Sequence, residues 1–491
     1  MAGSERSTVG ARTLVAAVGA DVAGAGFRAL AAGIAEAIAR GDLPVGSRLP
    51  AERALSIAAG CSRGTVVAAY DVLRNDGLVI RRTGSGTWVR RSADVDDRTG
   101  TGVGSEEHAA AVRARRLTAR VLDRHTDEVV DLGLSALHAP WELDDRMLRV
   151  TTADVAATAG HGYLPSGLPA LRAAVAARHS DRGTETSAAQ ITITNGAQHA
   201  LALATALLVH PGDVIVVEQP TFPGAIDVLA RAGARLLTVP VDAGGVDVAV
   251  LDRLLARGDV RAVYLVPTCH SPTGTTTTSS RRDQVARSID AAGCWLIEDE
   301  ALVPLHFDGV PPRSVASRMR SGRTVTIGSL SKEVWAGLGV GWIRAEEGPT
   351  DHLARLRAAL DLGGSIPGQL VALRCLDGID DRTERLRSAL AARADLLGEL
   401  VGTHLPGWTW TAPTGGLSMW CRLHDGGQDG DALSRAAPAH GVAVLPGSSA
   451  AVDGSCDAFV RLSFAAPADE LRIGVERLAA AWGGRPGRGP R

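Results

Sequence analysis

The sequence of 491 residues predicts an α/β protein built from three folded parts. Between residues 129 and 400, short β-branched runs alternate with helical stretches, which indicates a mostly parallel sheet in a large domain, with helices on both faces. Residues 27–91 show helical periodicity followed by a β-hairpin, and residues 401–491 are predicted to form a smaller α+β domain. Residues 1–26 are predicted to be an N-terminal extension, and residues 92–128 a linker that begins with many Asp, Gly, Thr and Ser residues.

Charge is distributed unevenly along the chain. Residues 27–91 contain ten arginines and five acidic residues, a local net charge of +5, whereas the whole chain carries −2 and the remainder therefore −7. A basic module attached to an acidic body is typical of a protein that binds nucleic acid at one end. Hydrophobic residues make up 45% and charged residues 22% of the chain, which indicates an ordinary soluble globular protein.

The cysteines and the apolar runs argue against a metalloprotein and a membrane protein. The six cysteines show no C-x-x-C pair and no metal-type His/Cys spacing, so we expect reduced thiols and no metal site. Residues 13–23 are apolar but alanine-rich and interrupted by Asp21, which makes them a poor signal peptide, and no run of about 20 apolar residues occurs elsewhere. We therefore expect a cytoplasmic protein with no membrane contact.

The region before the hairpin is predicted to contain three helices. Apolar side chains recur at helical spacing from Phe27 to Ile38. Pro50 suits the first turn of a second helix, which should end near Gly60. Ser62 is a good N-cap for the third helix.

The third helix and the hairpin after it suggest contact with DNA. Arg63 and Thr65 lie in the first turn of this helix, where a recognition helix meets base edges and phosphates. Residues 78–82 and 87–91 form the arms of the hairpin, with arginines on both. A small helical domain with a solvated arginine face is the alternative, but the charge, the helix order and the hairpin together favour DNA binding.

These segments resemble the GntR-type winged helix-turn-helix domain. The resemblance rests on residues 41–53 (GDLPVGSRLPAER), residues 62–66 (SRGTV) and residues 84–87 (GSGT). It implies a double-stranded DNA operator as the partner. The DNA-contacting residues that it implies are Arg53, Ser62, Arg63, Thr65, Arg81, Arg82 and Ser85.

In the larger body, apolar runs are predicted to be strands and several of the gaps between them helices. The predicted strands are residues 191–194, 214–217, 236–239, 262–266, 295–297 and 325–327. The predicted helices are residues 197–208, 224–232 and 280–292. Because ligands of such sheets bind beyond the carboxyl ends of the strands, the polar residues at those ends are the candidate site.

Lys332 is the only lysine of the chain, since the other 51 of the 52 basic residues are arginine. Chance survival on a solvated surface is one explanation. Arginine cannot lose its proton in a protein, whereas a lysine amine can, and the neutral amine attacks a carbonyl. Residues 325–327 lead into Ser329 and Ser331 just before Lys332, and a strand, a small polar turn and a lysine are how a Schiff-base lysine is presented beside a bound phosphate.

Three other strand ends carry candidate residues. Residues 191–194 lead into the sequence NGAQ at residues 195–198, where free N–H groups at the start of a helix can bind a phosphate. Three acids at residues 298–300 follow another strand, which favours a positioned carboxylate, suited to keeping a pyridine nitrogen protonated, over a solvated cap. Phe222 follows a third strand, where ring stacking and core packing are both open.

From about residue 129 onward the chain resembles the fold type I, pyridoxal-phosphate-dependent aminotransferases of class I/II, and the whole chain resembles a MocR-type transcriptional regulator. The resemblance implies that Lys332 forms a Schiff base with pyridoxal 5'-phosphate and that Asp299 pairs with the pyridine nitrogen. It implies that Phe222 stacks on the ring and that Tyr163 crosses the interface of a homodimer. The residues that it places around the phosphate are Gly196, Ala197, Gln198, Ser329 and Ser331.

The chain departs from the pattern of the aminotransferases at three places. Ser271 stands where the family has an asparagine that holds the ring hydroxyl, so this cofactor contact is shortened. Ala301 and Leu302 stand where a tyrosine is often found. Gly339 replaces a phosphate-binding arginine, a contact typically worth about 1.5–3 kcal/mol. We therefore expect cofactor affinity to be roughly 10–100-fold weaker than usual unless another arginine substitutes.

The C-terminal domain supplies one further candidate. Its predicted strands are residues 417–423, 442–445 and 459–463, and a closing helix is predicted at residues 470–482. The resemblance makes Arg461 the residue that binds a substrate α-carboxylate, a task for which its planar guanidinium is suited. An edge-strand arginine with no role is the alternative.

The sequence favours a DNA-binding transcriptional regulator whose aminotransferase-like domain senses pyridoxal phosphate or a small amino compound, with slow or absent turnover. One alternative is a working aminotransferase that carries a non-essential DNA-binding domain. Another is a degenerate domain that dimerises and binds an effector without pyridoxal phosphate. Lys332 and Asp299 argue against this last interpretation, whereas Ser271 and Gly339 argue for it.

Overall fold

The structure is a computed structural model, and the chain separates into two compact units, Met1–Ala109 and Ala110–Arg491. The residues that it describes are 10–18, 26–39, 43, 47–75, 79–82, 86–89, 128–137, 142–158, 160–308, 310–423 and 429–483. Among these residues, no helix has both the length and the apolar character needed to cross a membrane.

The first unit contains helices and one antiparallel hairpin. They are α1 (Ala11–Val18), α2 (Phe27–Ala39), α3 (Glu52–Ala58), α4 (Arg63–Asn75), β1 (Val79–Arg82) and β2 (Gly86–Val89). The three predicted helices and the hairpin are confirmed, but Pro50 precedes α3 because Ala51 is its N-cap. Ser62 caps α4 as predicted, since its Oγ accepts a hydrogen bond from the Thr65 amide at 3.0 Å. Leu14 of α1 is fully buried in the core that the other helices form.

The second unit is built on an eight-stranded sheet with the strand order β4-β11-β10-β9-β8-β5-β6-β7. Its strands are β4 (Ile191–Thr194), β5 (Val214–Gln219), β6 (Arg235–Asp242), β7 (Gly245–Val246), β8 (Val260–Leu265), β9 (Trp295–Asp299), β10 (Thr324–Ser329) and β11 (Gly341–Ala345). The predicted mostly parallel sheet is confirmed. The exceptions are β7, which pairs antiparallel with β6, and β11, which the sequence did not predict and which pairs antiparallel with both β10 and β4.

Helices cover both faces of this sheet. The helices of this part of the chain are α5 (Asp145–Leu148), α6 (Thr152–Ala156), α7 (Pro169–Asp181), α8 (Ala197–Leu208), α9 (Pro223–Arg231), α10 (Val248–Leu255), α11 (Ser279–Ala292), α12 (Glu347–Leu360), α13 (Ile366–Leu376) and α14 (Ile379–His404). The last of them, α14, packs instead in the core of the smaller sheet that follows. Alternate residues of one strand enter different cores: Val217 packs in the cluster that contains α8, and Val216 in the cluster that contains α11. The central strand β5 therefore begins with four consecutive buried valine or isoleucine residues, because both of its faces are covered.

A smaller four-stranded sheet follows, with the order β12-β13-β16-β15. Its elements and those around it are β12 (Thr409–Trp410), β13 (Ser418–Arg422), α15 (Gly430–Ala436), β14 (Val442–Ala443), β15 (Leu445–Pro446), β16 (Phe459–Ser463) and α16 (Ala468–Gly483). The strand that enters this unit, β3 (Val130–Asp131), pairs parallel with β14. β16 carries Arg461 and has a neighbour on each side, so the structure corrects the alternative of an edge-strand arginine.

Candidate active site

Lys332 follows the carboxyl end of β10, three residues after Ser329. Its side chain is half-buried, and its Nζ donates a hydrogen bond to the Ser135 carbonyl at 2.6 Å. The pKa of Lys332 is lowered from its ordinary value to about 8, because burial and, to a smaller extent, the Arg461 guanidinium lower it more than Asp299 raises it. An amine with this pKa is neutral in an appreciable fraction of molecules near neutral pH and can attack a carbonyl.

Asp299 is the last residue of β9 and stands opposite Ile327 of β10. Since these neighbouring strands are parallel, Asp299 and Lys332 emerge at the same edge of the sheet. The Asp299 carboxylate accepts hydrogen bonds from the Ala301 amide at 2.9 Å and from the Tyr264 hydroxyl at 3.0 Å. Burial raises the pKa of Asp299, whereas both hydrogen bonds and the Lys332 cation act to lower it.

Sequence reasoning missed Tyr264. It lies in β8, is fully buried, and burial raises the pKa of its hydroxyl well above the ordinary value. The sequence expectation considered only a tyrosine shortly after Asp299, where Ala301 and Leu302 stand. A hydroxyl in an otherwise apolar strand, at one of only three tyrosines of the chain, was the available signal.

A cradle of small polar groups lies at the start of α8. Gly196 is the N-cap of this helix with a φ of 89°, and a Cβ there would lie 3.8 Å from the Ser331 Oγ. Ser329 Oγ donates to Ser331 Oγ at 3.0 Å and accepts from the Ser331 amide at 3.1 Å. A Cβ at Gly341 would lie 2.7 Å from backbone atoms of Gly196 and Gly328, so glycine permits this close approach. Free helix N–H groups and hydroxyls together suit an anion.

Gln198 and Phe222 meet beside Gly224. The Gln198 side-chain amide donates to the Gly224 carbonyl at 3.1 Å. A Cβ at Gly224 would lie 2.5 Å from Gln198 Oε1 and 2.6 Å from two ring carbons of Phe222. Phe222 is the N-cap residue of α9 and is half-buried, and it packs partly against the core. Ala197 is the first residue of α8. Phe222 therefore packs partly against the core, and this position also allows its ring to stack on a ligand. The stacking role stays a prediction.

Ser271 is half-buried in a tight turn and precedes a cis peptide bond to Pro272. The residue before Ser271 is His270. The distance between His270 Nε2 and the Glu218 carboxylate is 3.5 Å, and both side chains are almost completely buried. The Glu218 carboxylate also accepts a hydrogen bond from the Val266 amide at 2.6 Å. Sequence reasoning did not identify this pair, because its members lie at the ends of different strands.

Arg461 is buried in β16, and its Nη2 donates to the Gly133 carbonyl. Its positive charge is close enough to Lys332 to lower the pKa of that amine, as the second-largest cause after burial. The structure therefore brings together Lys332, Asp299 and Arg461. Tyr163 is 58% exposed, and its ring lies 5.2 Å from that of His161.

Gly339 adopts the left-handed conformation with a φ of 60°. Among the described residues, no heavy atom lies within 4 Å of the position that a Cβ would take there. A side chain at residue 339 therefore has room but strained backbone.

The predicted DNA-contacting residues lie on α3, on α4 and in the hairpin. Arg53 is exposed on α3, and Arg63 is exposed at the start of α4, where its guanidinium donates to the Glu52 carboxylate at 3.0 Å. Ser62 and Thr65 contact each other through their hydroxyls at 2.8 Å. In the hairpin, Arg81 and Arg82 are backbone partners of Thr87 and Gly86, and Ser85 lies outside the described residues.

The groups at the strand ends fit pyridoxal phosphate in three respects. Lys332 is an amine whose pKa burial lowers to about 8, which suits attachment to an aldehyde. Asp299 is a buried carboxylate of the kind that holds a pyridine nitrogen. Gly196 begins α8 with a positive φ that favours glycine, beside the Ser331 hydroxyl, so helix N–H groups and a hydroxyl lie together where a phosphate can bind.

Comparison with known proteins identifies the families to which the two parts of the chain are similar. The model of the aminotransferase class I and II family matches residues 128–478, and that of the bacterial regulatory proteins of the gntR family matches residues 28–89. Aromatic-amino-acid aminotransferase 1 of Thermococcus litoralis is 27% identical over 387 residues, 76% of this chain and 92% of that protein. The probable rhizopine catabolism regulatory protein MocR of Rhizobium meliloti is 28% identical over 426 residues, 83% of this chain and 84% of that protein.

A solved structure shares the fold of the larger unit. LysN, the alpha-aminoadipate aminotransferase of Thermus thermophilus complexed with N-(5'-phosphopyridoxyl)-L-leucine, superposes with a TM-score of 0.68 at 26% identity and covers 76% of this chain and 96% of that one. The family match spans more than half of the chain. The chain therefore belongs to the aminotransferase class I and II family, whose cofactor is pyridoxal phosphate, and its gntR-family domain gives it the architecture of a MocR-type transcriptional regulator.

Proposed function

We propose that this regulator binds operator DNA through its first unit and senses pyridoxal phosphate, or an amino compound that reacts with it, through Lys332. The observation that carries the proposal is the convergence of Lys332, Asp299 and Arg461 at one edge of the sheets, in a chain that also has a gntR-family domain. We expect the protein to act in the cytoplasm, because operator DNA is found there.

Different residues of the chain are proposed to contact different parts of the cofactor. Pyridoxal phosphate supplies an aldehyde for attachment and a ring that withdraws electrons. Lys332 provides the attaching amine, and Asp299 keeps the ring nitrogen protonated. The Ser329 and Ser331 hydroxyls and the start of α8 take the phosphate. Phe222 stacks on the ring, and Ser271 stands at the ring hydroxyl.

Arg461 is proposed to make the site selective for effectors that carry a carboxylate. A guanidinium binds a carboxylate with two parallel hydrogen bonds, so an amino acid or a related amino carboxylate is the expected class. When it is not attached to the cofactor, the neutral Lys332 amine would be able to move a proton. Small misplacements cost catalytic rate about 10²-fold but cost binding much less, so a loosely held ring favours sensing over turnover.

The exposed Tyr163 supports a homodimer. Its side chain is 58% exposed and therefore accessible to a second copy of the chain, and the family resemblance makes it the residue that crosses the interface of a homodimer. A dimer would also present two winged helices to a repeated operator.

The deciding experiment measures operator affinity of the full-length protein with and without pyridoxal phosphate, and then with the common L-amino acids added. A genomic selection first supplies the operator. We expect Arg63→Ala to lower specific affinity by about 1–3 kcal/mol, the range for one lost base contact. Arg12→Ala, which removes an exposed arginine of α1, is the control and should leave affinity unchanged.

Two outcomes would contradict the proposal. The absence of any enriched operator would show that the first unit does not direct specific binding. Operator affinity that ignores cofactor and amine, combined with steady transamination at ordinary enzyme rates, would favour a working aminotransferase. That second candidate has one observation in its favour, since Lys332 and Asp299 are both present at the same sheet edge.

A further inference from the structure

One turn of the chain contacts both functional cations of the site. The Gly133 carbonyl accepts a hydrogen bond from Arg461 Nη2, and the Ser135 carbonyl accepts one from Lys332 Nζ at 2.6 Å. Lys332 follows a strand of the large sheet and Arg461 lies in the small sheet, yet both donate to carbonyls that are only two residues apart. Charge-assisted hydrogen bonds of this kind are about twice as strong as neutral ones.

Asp131 holds this turn in place. Its Oδ1 accepts hydrogen bonds from the Gly133 amide at 2.7 Å and from the Leu134 amide at 3.1 Å. The preceding strand β3 is anchored as well, because the Leu132 amide donates to the Ala443 carbonyl at 2.9 Å and the Leu132 carbonyl accepts from the Ser463 amide at 2.7 Å. The turn is therefore fixed by its own acidic side chain on a strand that cannot easily shift.

We propose that the turn 133–135 is a latch that competes with ligands for Arg461 and Lys332, and that Asp131 is the positioning residue that sets its strength. The inference rests on the proposed function, because it concerns the same two cations. A carboxylate that binds Arg461 has to replace the Gly133 carbonyl, and an aldehyde that attaches to Lys332 has to replace the Ser135 carbonyl. The net affinity for a ligand is thus the free energy of its contacts with Arg461 and Lys332 minus that of the carbonyl contacts that it replaces.

The position of the latch in the chain gives it a regulatory consequence. Residues 129–137 come directly after the predicted linker of residues 92–128, which leads from the DNA-binding unit. In this proposal, opening of the latch loosens the turn and, with it, the anchored strand β3 that joins the turn to that connection. A ligand that opens the latch therefore has a route to operator affinity through the chain itself.

The test compares Asp131→Ala, Asp131→Asn and Asp144→Ala in the full-length protein. Asp144 is the matched control, because its carboxylate accepts from the amides two and three residues later, at 2.8 and 2.9 Å, in the same pattern as Asp131. The measurement is the apparent dissociation constant for pyridoxal phosphate, from the visible absorbance of the protein. Thermal unfolding of each variant verifies that it is folded.

We expect Asp131→Ala to bind pyridoxal phosphate about three- to tenfold more tightly than the wild type, because the competing carbonyls are loosened. Asp131→Asn and Asp144→Ala should match the wild type: an asparagine oxygen accepts the same two amides, and Asp144 lies outside the latch. A second variant, Gly133→Ala, acts on the same turn: its Cβ would lie 3.1 Å from the backbone of Val444 and Leu445, so the turn has to shift. It should also tighten binding.

Unchanged or weaker affinity in both Asp131→Ala and Gly133→Ala would overturn the latch. If the wild type itself attaches no cofactor at Lys332, the proposed function fails instead, so the two failures are distinguishable. For the regulatory part, the operator affinity of ligand-free Asp131→Ala should approach that of ligand-loaded wild type. Equality with ligand-free wild type, in a variant that binds the cofactor more tightly, would overturn that part.

Discussion

The two ends of the candidate cofactor site are built from different chemistry. At the ring end, buried charges are held by specific partners: Asp299 accepts from Tyr264 and from a backbone amide, and Lys332 lies close to Arg461. At the phosphate end, the contacts come from neutral hydroxyls and helix N–H groups. Gly339, the position at which the aminotransferases usually have an arginine, faces open space among the described residues.

The difference indicates which end determines selectivity and which determines retention. In the proposed function the ring end recognises the cofactor, because a covalent bond to Lys332 and a charge pair at Asp299 would require an aldehyde on a pyridine ring. At residue 339 the phosphate end lacks the arginine contact that the aminotransferases usually have, and one such charge-assisted contact is worth about 1.5–3 kcal/mol. A site that is selective at the ring end but binds the phosphate weakly suits a cofactor that dissociates and rebinds.

The largest effect is expected at the covalent contact. Lys332→Ala should abolish the visible absorption band at roughly 410–430 nm that added pyridoxal phosphate produces, and weaken binding about 100-fold or more. Borohydride treatment of the wild type should fix the cofactor mass on Lys332, the only lysine of the chain. Lys332→Arg keeps a cation but cannot attach an aldehyde, so it should behave like the alanine variant. Retention of the band in either variant would contradict the assignment.

The next effect concerns the partner of Asp299. Tyr264→Phe removes a buried hydrogen bond, which costs about 1–3 kcal/mol, so cofactor affinity should fall about tenfold. Burial raises the pKa of Asp299, and without the tyrosine this pKa should rise further, because the phenol hydrogen bond lowers it. Tyr70→Phe is the control: Tyr70 donates to the Pro50 carbonyl at 2.9 Å in the first unit. An equal loss of cofactor affinity in both variants would show that Tyr264 acts only through general stability.

A pH profile tests the electrostatics of the ring end. Only the neutral amine attaches an aldehyde, and a pKa of about 8 for Lys332 leaves roughly a tenth of it neutral at pH 7. The rate of cofactor uptake should therefore rise about eightfold between pH 7 and 8.5 and level off above that. Arg461→Met removes a cation that lowers this pKa, so the profile should move to higher pH. A flat profile between pH 7 and 9 would exclude Lys332 as the titrating group.

The smallest effect is expected at the phosphate end. Gly339→Arg adds a charge-assisted contact of about 1.5–3 kcal/mol, while the left-handed backbone at φ 60° costs a non-glycine residue about 1 kcal/mol. The net gain of roughly 0.5–2 kcal/mol should increase the affinity for pyridoxal phosphate about twofold to thirtyfold. Gly339→Ala carries the strain without the cation and should bind no more tightly than the wild type. Equal affinity of the arginine and alanine variants would show that another group already serves the phosphate.

Several parts of the site could be predicted from the sequence because they depend on local chemistry. The single lysine, the glycine turn before α8 and the acids after β9 all follow apolar runs that form strands. In a parallel sheet the carboxyl ends of such strands meet at one edge, so local patterns predict a shared site. The N-cap at Ser62 was predictable for the same reason, since it involves residues of one helical turn.

Other parts were decided only by the tertiary structure. The antiparallel strand β11 lies between β10 and β4 because of pairing across the sheet, which no local pattern indicates. The Tyr264–Asp299 hydrogen bond joins two strands, and its two residues are 35 positions apart in the sequence, so no local pattern predicts it. The contacts of Lys332 and Arg461 go to backbone carbonyls of Ser135 and Gly133. Every residue has a carbonyl, so the sequence determined which side chains carry the chemistry, and only the folded chain determined which carbonyls oppose them.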